Sequence, residues 1–137
     1  MQSIPTQRSR LMAAVKHKDT QPELIVRSIA HRLGYRFRIH RRDLPGRPDL
    51  AFPRYRLALF VHGCFWHRHE GCKRTTTPKT NHDFWQVKFA ANIARDARKT
   101  HELESQGWRV CIIWECQTSD PQLIKSILIE EMPRLAS

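Results

Sequence analysis

The sequence predicts a small α/β domain, a mixed sheet with helices packed against it. Apolar residues recur at helical spacing in segments interleaved with shorter strand-like runs, in the order α-β-β-β-α-β-α. Trp108–Cys116 is almost continuously apolar, the pattern of a strand buried on both faces at the centre of a sheet. A chain of 137 residues with a 40% hydrophobic fraction can bury the core of one domain, which argues against disorder.

The elements follow in order. Residues 1–18 make a polar, basic arm (Arg8, Arg10, Lys16, Lys18) with Leu11, Met12 and Val15 as the apolar members of a short helix. Residues 19–137 form the folded domain. Thr20 caps its first helix, with Pro22 in the first turn and Glu23 closing a capping box. Leu24, Ile25, Ile29 and Leu33 give that helix its apolar spacing, and Gly34 stops it. Arg36–His40 alternates as a strand. Leu44-Pro-Gly-Arg-Pro48 is a turn leading into strands at Asp49–Phe52 and Tyr55–Val61. After a long loop from His62 to about Asn81, a helix spans Asp83–Gln106, with Phe84, Trp85, Val87, Phe89, Ile93 and Leu103 as its apolar residues, and ends at Gly107. Following the Trp108–Cys116 strand, Ser119 or Asp120 caps a last helix that runs through Leu135.

Charge narrows the function. Lys+Arg number 24 against 13 Asp+Glu, a net charge of +11, with a pI near 10.3. That balance draws a polyanion, and nucleic acid is the usual one. The basic residues are spread over several segments and form no basic amphipathic helix, which argues against a membrane surface. No apolar run approaches the length of a membrane span, and the first residues lack the apolar stretch of a secretory leader. The expectation is a cytoplasmic protein whose four cysteines serve as metal ligands or free thiols.

The densest chemistry lies in His62-Gly-Cys-Phe-Trp-His-Arg-His-Glu-Gly-Cys72. Cys64, His69 and Cys72 have a C-x4-H-x2-C spacing that suits one tetrahedral zinc, given a fourth ligand from elsewhere. Cys111 lies mid-strand and reads as a small buried hydrophobe. Cys116, at the strand end, is the better-placed fourth ligand. Four filled positions make such a zinc structural, and its binding, on the order of 10–16 kcal/mol, would order a loop poor in core residues. Phe65 and Trp66 lie among ligands and charges without apolar periodicity, so both are expected to face outward and stack on bases. Trp85, Trp108 and Trp114 are expected in the core.

Hydrolysis of a phosphodiester generally needs Mg²⁺ on one or two carboxylates. Asp49, held firmly where a turn becomes a strand, is one candidate. Glu23, Asp96 and the imidazoles of His62 and His67 are others, although each has an ordinary structural explanation when taken alone.

Their order along the chain is more telling. Arg8-Ser-Arg-Leu-Met12, Asp19-Thr20-x-x-Glu23, Leu44-Pro-Gly-Arg-Pro-Asp49, Phe60-x-His-Gly-Cys-Phe-Trp-His67, Phe84-Trp85-x-x-Lys88, Asn92-x-x-Arg95-Asp96 and Gly107-Trp-Arg-Val through Trp114-Glu-Cys116 follow one another. In this succession the chain resembles the very short patch repair (Vsr) endonucleases over nearly its whole length. The resemblance implies a restriction-endonuclease-like fold, a mixed central sheet flanked by helices with a structural zinc loop. It implies a monomeric, Mg²⁺-dependent enzyme that nicks one strand of duplex DNA at T·G mismatches left by deaminated 5-methylcytosine.

By the same resemblance, Asp49 and the backbone carbonyl of Val61 hold Mg²⁺, with Glu23 and His62 acting through water on the ion. His67 is the general base or proton shuttle for attack by water, and Asp96 orients it. Cys64, His69, Cys72 and Cys116 hold zinc. Phe65, Trp66 and Met12 wedge into the base stack. Arg8, Arg10, Arg41, Arg42, Lys73, Arg74 and Lys79 are candidate phosphate contacts, and helper proteins of mismatch repair are conceivable partners.

Two features depart from the pattern. Related nucleases carry an acidic residue and a lysine where this chain has Val61-His62-Gly63, and Glu70-Gly71 adds one residue before Cys72. Two alternatives stand beside the mismatch nickase: a restriction-type nuclease cutting both strands, and a non-catalytic zinc-stapled module that binds distorted duplex.

Overall fold

A computed structural model describes residues 19–133. The basic arm with Arg8, Arg10 and Met12 lies outside the described residues, as does Leu135; the last helix ends earlier than expected, at Glu131, because Pro133 cannot continue it.

Three helices and three strands form the frame: α1 (Gln21–Arg32), β1 (Leu50–Phe52), β2 (Leu57–His62), α2 (His82–Ser105), β3 (Arg109–Trp114) and α3 (Pro121–Glu131). The sheet order is β1-β2-β3, with β1 antiparallel to β2 and β2 parallel to β3. The parallel pair needs a crossover, and α2 supplies it.

Strand alternation sorts the side chains into two layers. Leu50, Phe52, Leu57, Leu59, Cys111 and Ile113 face α1 and α3, where Val26, Ile29, Ile124 and Leu128 complete the larger core. Ala51 and Ala58 face the other way, under Leu103 of α2 and beside Trp108 and Leu44. Small residues there let α2 lie close to the sheet. Gly46, at φ +75°, turns the chain tightly beneath this layer, where an added Cβ would meet Lys99 Cβ at 3.1 Å and Phe60 at 3.2 Å.

The capping chemistry follows the sequence. Thr20 Oγ1 accepts from Glu23 N–H, and the Glu23 carboxylate accepts from Thr20 N–H. Asp120 caps α3, accepting from Gln122 and Leu123 N–H.

Four further expectations are corrected. Arg36–His40 forms no strand; it makes a single bridge, Arg38 to Ala51, because positive φ at His40 turns the chain away. The near-continuous apolar run is not central. Among the described residues β3 pairs only with β2, and Ile112 is 37% exposed. The centre is β2. Leu24 of α1 is exposed while Val26 and Ala30 are fully buried, so the core stripe is rotated from the expected one. Finally, α2 buries only Phe89 and Leu103; Phe84, Val87 and Ile93 are exposed, since its first half projects beyond the sheet.

Candidate active site and metal centre

The C-terminal end of β2 carries both sites. Val61 and His62 end the strand, Gly63 follows, and Cys64 begins the loop. At this end of the sheet, a groove of about 1330 Å³ is lined by Glu23, Arg27, Asp49, His62, His67 and Asp96, with Arg42, Arg47, Arg95 and Lys99 on its walls.

Asp49 immediately precedes β1, and its Oδ2 accepts from Val61 N–H at 2.6 Å. The Val61 carbonyl leaves the strand on the same edge. Burial, then the neighbouring Glu23 carboxylate, pushes the Asp49 pKa up to about 8, against the Val61 hydrogen bond and the Arg27 charge. Glu23 is buried and accepts from Asp19 N–H, Thr20 N–H and Thr20 Oγ1. One carboxylate therefore closes the capping box and also lines the groove.

The histidines form a stack. The rings of His62 and His67 lie 3.7 Å apart between centroids and 8° from parallel. His67 Nδ1 is 2.6 Å from Asp96 Oδ2, which makes Nδ1 the nitrogen that donates to the carboxylate. Burial, and then the charge of His67, lowers the His62 pKa to about 4, so this ring is neutral at pH 7. Burial alone would raise the Asp96 pKa; the hydrogen bond and charge of His67 instead bring it below the ordinary aspartate value.

Cys64, His69, Cys72 and Cys116 converge, their ligand atoms all within 4.8 Å of one another. Cys64 Sγ and Cys116 Sγ lie 3.7 and 3.5 Å from His69 Nδ1. Ordinary zinc–sulfur and zinc–nitrogen bonds at a tetrahedral angle give an edge of about 3.6 Å, so this donor set can bind a metal. Cys116 is the fourth member, and its N–H donates to Cys64 Sγ at 3.4 Å. The added residue before Cys72 is absorbed by turns with positive φ at Arg68 and Gly71. Burial pushes the Cys64 thiol up to about 12, and a hydrogen bond from the Arg74 backbone lowers that of Cys72.

The two loop aromatics differ from expectation and from each other. Phe65 is 9% exposed, packed edge-on against Phe89 and Trp66 with centroids 5.2 Å away in both cases. Trp66 is the more open ring, tilted against Trp85 at 5.8 Å. Trp108 is core, whereas Trp85 and Trp114 are only half-buried. Of the phosphate candidates, Arg41 is held by both carboxylate oxygens of Asp43, and Arg74 lies 3.4 Å from Glu115. Arg42, Lys73 and Lys79 show no carboxylate partner among the described residues.

Sequence reading missed three residues. Arg68 stitches the loop through Phe65 O, Thr76 O and Thr77 Oγ1, and covers the Phe89 ring at 3.9 Å. Thr75 Oγ1 donates to His69 O at 2.6 Å. Arg27 reaches Asp19 at 2.7 Å and Glu23 at 3.6 Å, and its buried Nε has no hydrogen-bond partner among the described residues. Only Arg27 left a signal: a cation one helical turn after Glu23 on the same face.

A family model described as DNA mismatch endonuclease Vsr matches residues 3–74, more than half of the chain. The chain belongs to the Vsr family. It is similar to the type II nicking enzyme V.XorIIP of Xanthomonas oryzae, 54% identical over 85% of each chain. It is also similar to the DNA mismatch endonuclease Vsr of Escherichia coli, 42% identical over 80% of this chain and 69% of that one. The type II nicking enzyme V.NmeAIP of Neisseria meningitidis is 36% identical over 95% of this chain and 89% of its own length. As a Vsr-family chain this is a DNA endonuclease, of the group that includes nicking enzymes. Among the described residues no helix is long and apolar enough to cross a membrane.

Proposed function

We propose that this chain is a Mg²⁺-dependent, monomeric endonuclease of the cytoplasm that nicks one strand of duplex DNA at T·G mismatches, with a structural zinc in its Cys/His cluster. One observation carries this reading. The Asp49–Glu23 carboxylate pair and the His62–His67–Asp96 constellation line a single groove, and the loop leaving that groove carries Trp66 beside the Cys/His cluster. The arm of residues 1–18 would add Met12, Arg8 and Arg10 to the DNA contacts of a nuclease domain spanning 19–137.

The oxygen-only donor set of Asp49, Glu23 and the Val61 carbonyl fits a hard cation, and Asp49, whose pKa is raised by burial and then by the Glu23 carboxylate, gains a counter-charge when one binds. When bound, Mg²⁺ neutralises charge developing on the phosphate and acidifies water. The protein's residues do the rest. Asp96 holds His67 so that Nε2 takes the proton of the attacking water, and stabilises the imidazolium that results. His62 stays neutral against that ring and adds no opposing charge. Arg42, Lys73 and Lys79 would position the backbone. Phe65 backs Trp66, which would press into the weakly stacked mismatch step, where unstacking costs least.

A 5′-labelled duplex with one T·G pair, compared with its fully paired control, tests the reading. A single Mg²⁺-dependent nick in one strand of the mismatched duplex is expected. Double-strand cleavage of the paired control would instead favour a restriction-type nuclease, and binding without cleavage a zinc-stapled module.

A further inference from the structure

The two sites share more than a strand end. Trp114 closes β3 and is the register partner of His62 on β2. Its indole stacks on the ring of His69, with centroids 4.2 Å apart and planes 7° from parallel. The same indole presents an edge contact to His62 at 5.3 Å and 75°. His62 in turn lies face to face with His67. Four rings thus run without a gap from a member of the Cys/His cluster to the imidazole paired with Asp96. Two residues beyond Trp114, Cys116 enters that cluster, so both ends of a short segment answer to the same ligand set.

We propose that Trp114 is a positioning residue, through which metal held by Cys64, His69, Cys72 and Cys116 sets the pose of His62 and His67. This rests on reading the cluster as a zinc site and His67 as the base. The physical argument is one of restraint. An imidazole bound to a metal has a fixed plane, and a flat ring stacked on it is confined to slide or twist in that plane. The His62 ring is packed between Trp114 and His67, with Phe60 touching it at 5.8 Å from the strand side, so the Trp114 face is the one restraint that leads back to the cluster. Loss of metal would free His69, then the indole, then the stack. The Cys/His cluster would therefore act on the reaction itself, as well as on the stability of the loop.

The test uses the full zinc-loaded chain with ¹⁵N-labelled histidine rings, its ring signals read free of Mg²⁺ and DNA and its kcat and KM read separately on T·G duplex with Mg²⁺, comparing the parent with Trp114→Leu and Trp114→Phe. The leucine variant keeps much of the bulk but no flat face; phenylalanine keeps the face. The leucine variant should still hold one zinc per chain, move the ring signals of His62 and His67, and lower kcat about tenfold or more with KM little changed. Phenylalanine should restore most of both. A leucine variant with zinc bound and with parental ring signals and kcat overturns the proposal. Should that variant fail to fold, the parent chain is read with Cd²⁺ in place of Zn²⁺. The larger ion shifts His69, and the His62 signals should follow; a change confined to His69 overturns the proposal. Because the ring signals are read without substrate, a failure to nick T·G duplex would count against the proposed function and leave this inference to be decided separately.

Discussion

His67 and Asp96 approach to 2.6 Å across the groove, one from the loop after β2 and the other from the middle of α2. That contact ties the Cys/His loop to the long helix and assigns the tautomer of the imidazole.

Asp96→Asn should therefore spare the fold and cripple the base. An amide can present its NH₂ to Nδ1 and favour the wrong tautomer, with a loss in kcat of about 10²–10⁴. Single-turnover nicking measures it; a loss under threefold would separate Asp96 from the chemistry.

His67→Ala and His69→Ala, two residues apart, should fail differently. The first should nick poorly and keep about one zinc per chain by metal analysis; the second should lose the metal and much of its stability. Zinc lost from the His67 variant would exchange their roles.

Asp49→Asn should stop Mg²⁺-dependent nicking, leave duplex binding in place and stabilise the Mg²⁺-free protein. The folded-state pKa of about 8 stands above the ordinary aspartate value of 3.8. The folded chain therefore keeps a proton that the unfolded chain releases, and the stability this gives is complete below about pH 4 and lost as pH climbs toward 8. The amide removes that loss. Its melting temperature should exceed the parent's by several degrees at pH 8, with the gap closing near pH 4, in scans of zinc-loaded protein. An equal gap at both values would contradict the assigned shift.

Phe65→Ala and Trp66→Ala should separate packing from recognition. Phe65 is buried among Phe89, Trp85 and Trp66, so its truncation should cost about 3–5 kcal/mol of stability. Trp66→Ala should cost less stability and reduce the preference for mismatched over paired duplex, read from the ratio of Kd values.

Replacing Arg42, Lys73 or Lys79 by alanine should weaken binding to matched and mismatched duplex alike. For each of them that neutralises a phosphate, the alanine variant should show a slope of log K against log salt shallower by about 0.9. Arg41, already bound to Asp43, should contribute less.

Much of this was legible in the sequence for local reasons. A capping box, a helix-ending glycine and the Pro-Gly-Arg-Pro turn act within a few residues, and α1, β1, β2, α2 and α3 lie close to where these signals put them. Cys116 could be placed because a strand end is free to reach a neighbouring loop. What failed depended on partners distant in sequence. An apolar run does not say whether one neighbour strand or two will flank it, so β3 looked central. Phe65 looked exposed because its cover, Phe89 and Trp85, comes from a helix some twenty residues later. Arg27 shows in the sequence only as a cation one turn after Glu23; that it lines the groove depends on α1 lying beside Asp49.

The placement of Cys64 two residues after His62 has a practical consequence for anyone handling the enzyme. Without metal, the cluster leaves three thiols close together, and Cys72, the one whose thiolate is favoured, is the first open to air oxidation. A stock that fades on storage would then be losing its sulfur chemistry before its nuclease chemistry. Reductant and a trace of zinc, rather than extra magnesium, are what should preserve it.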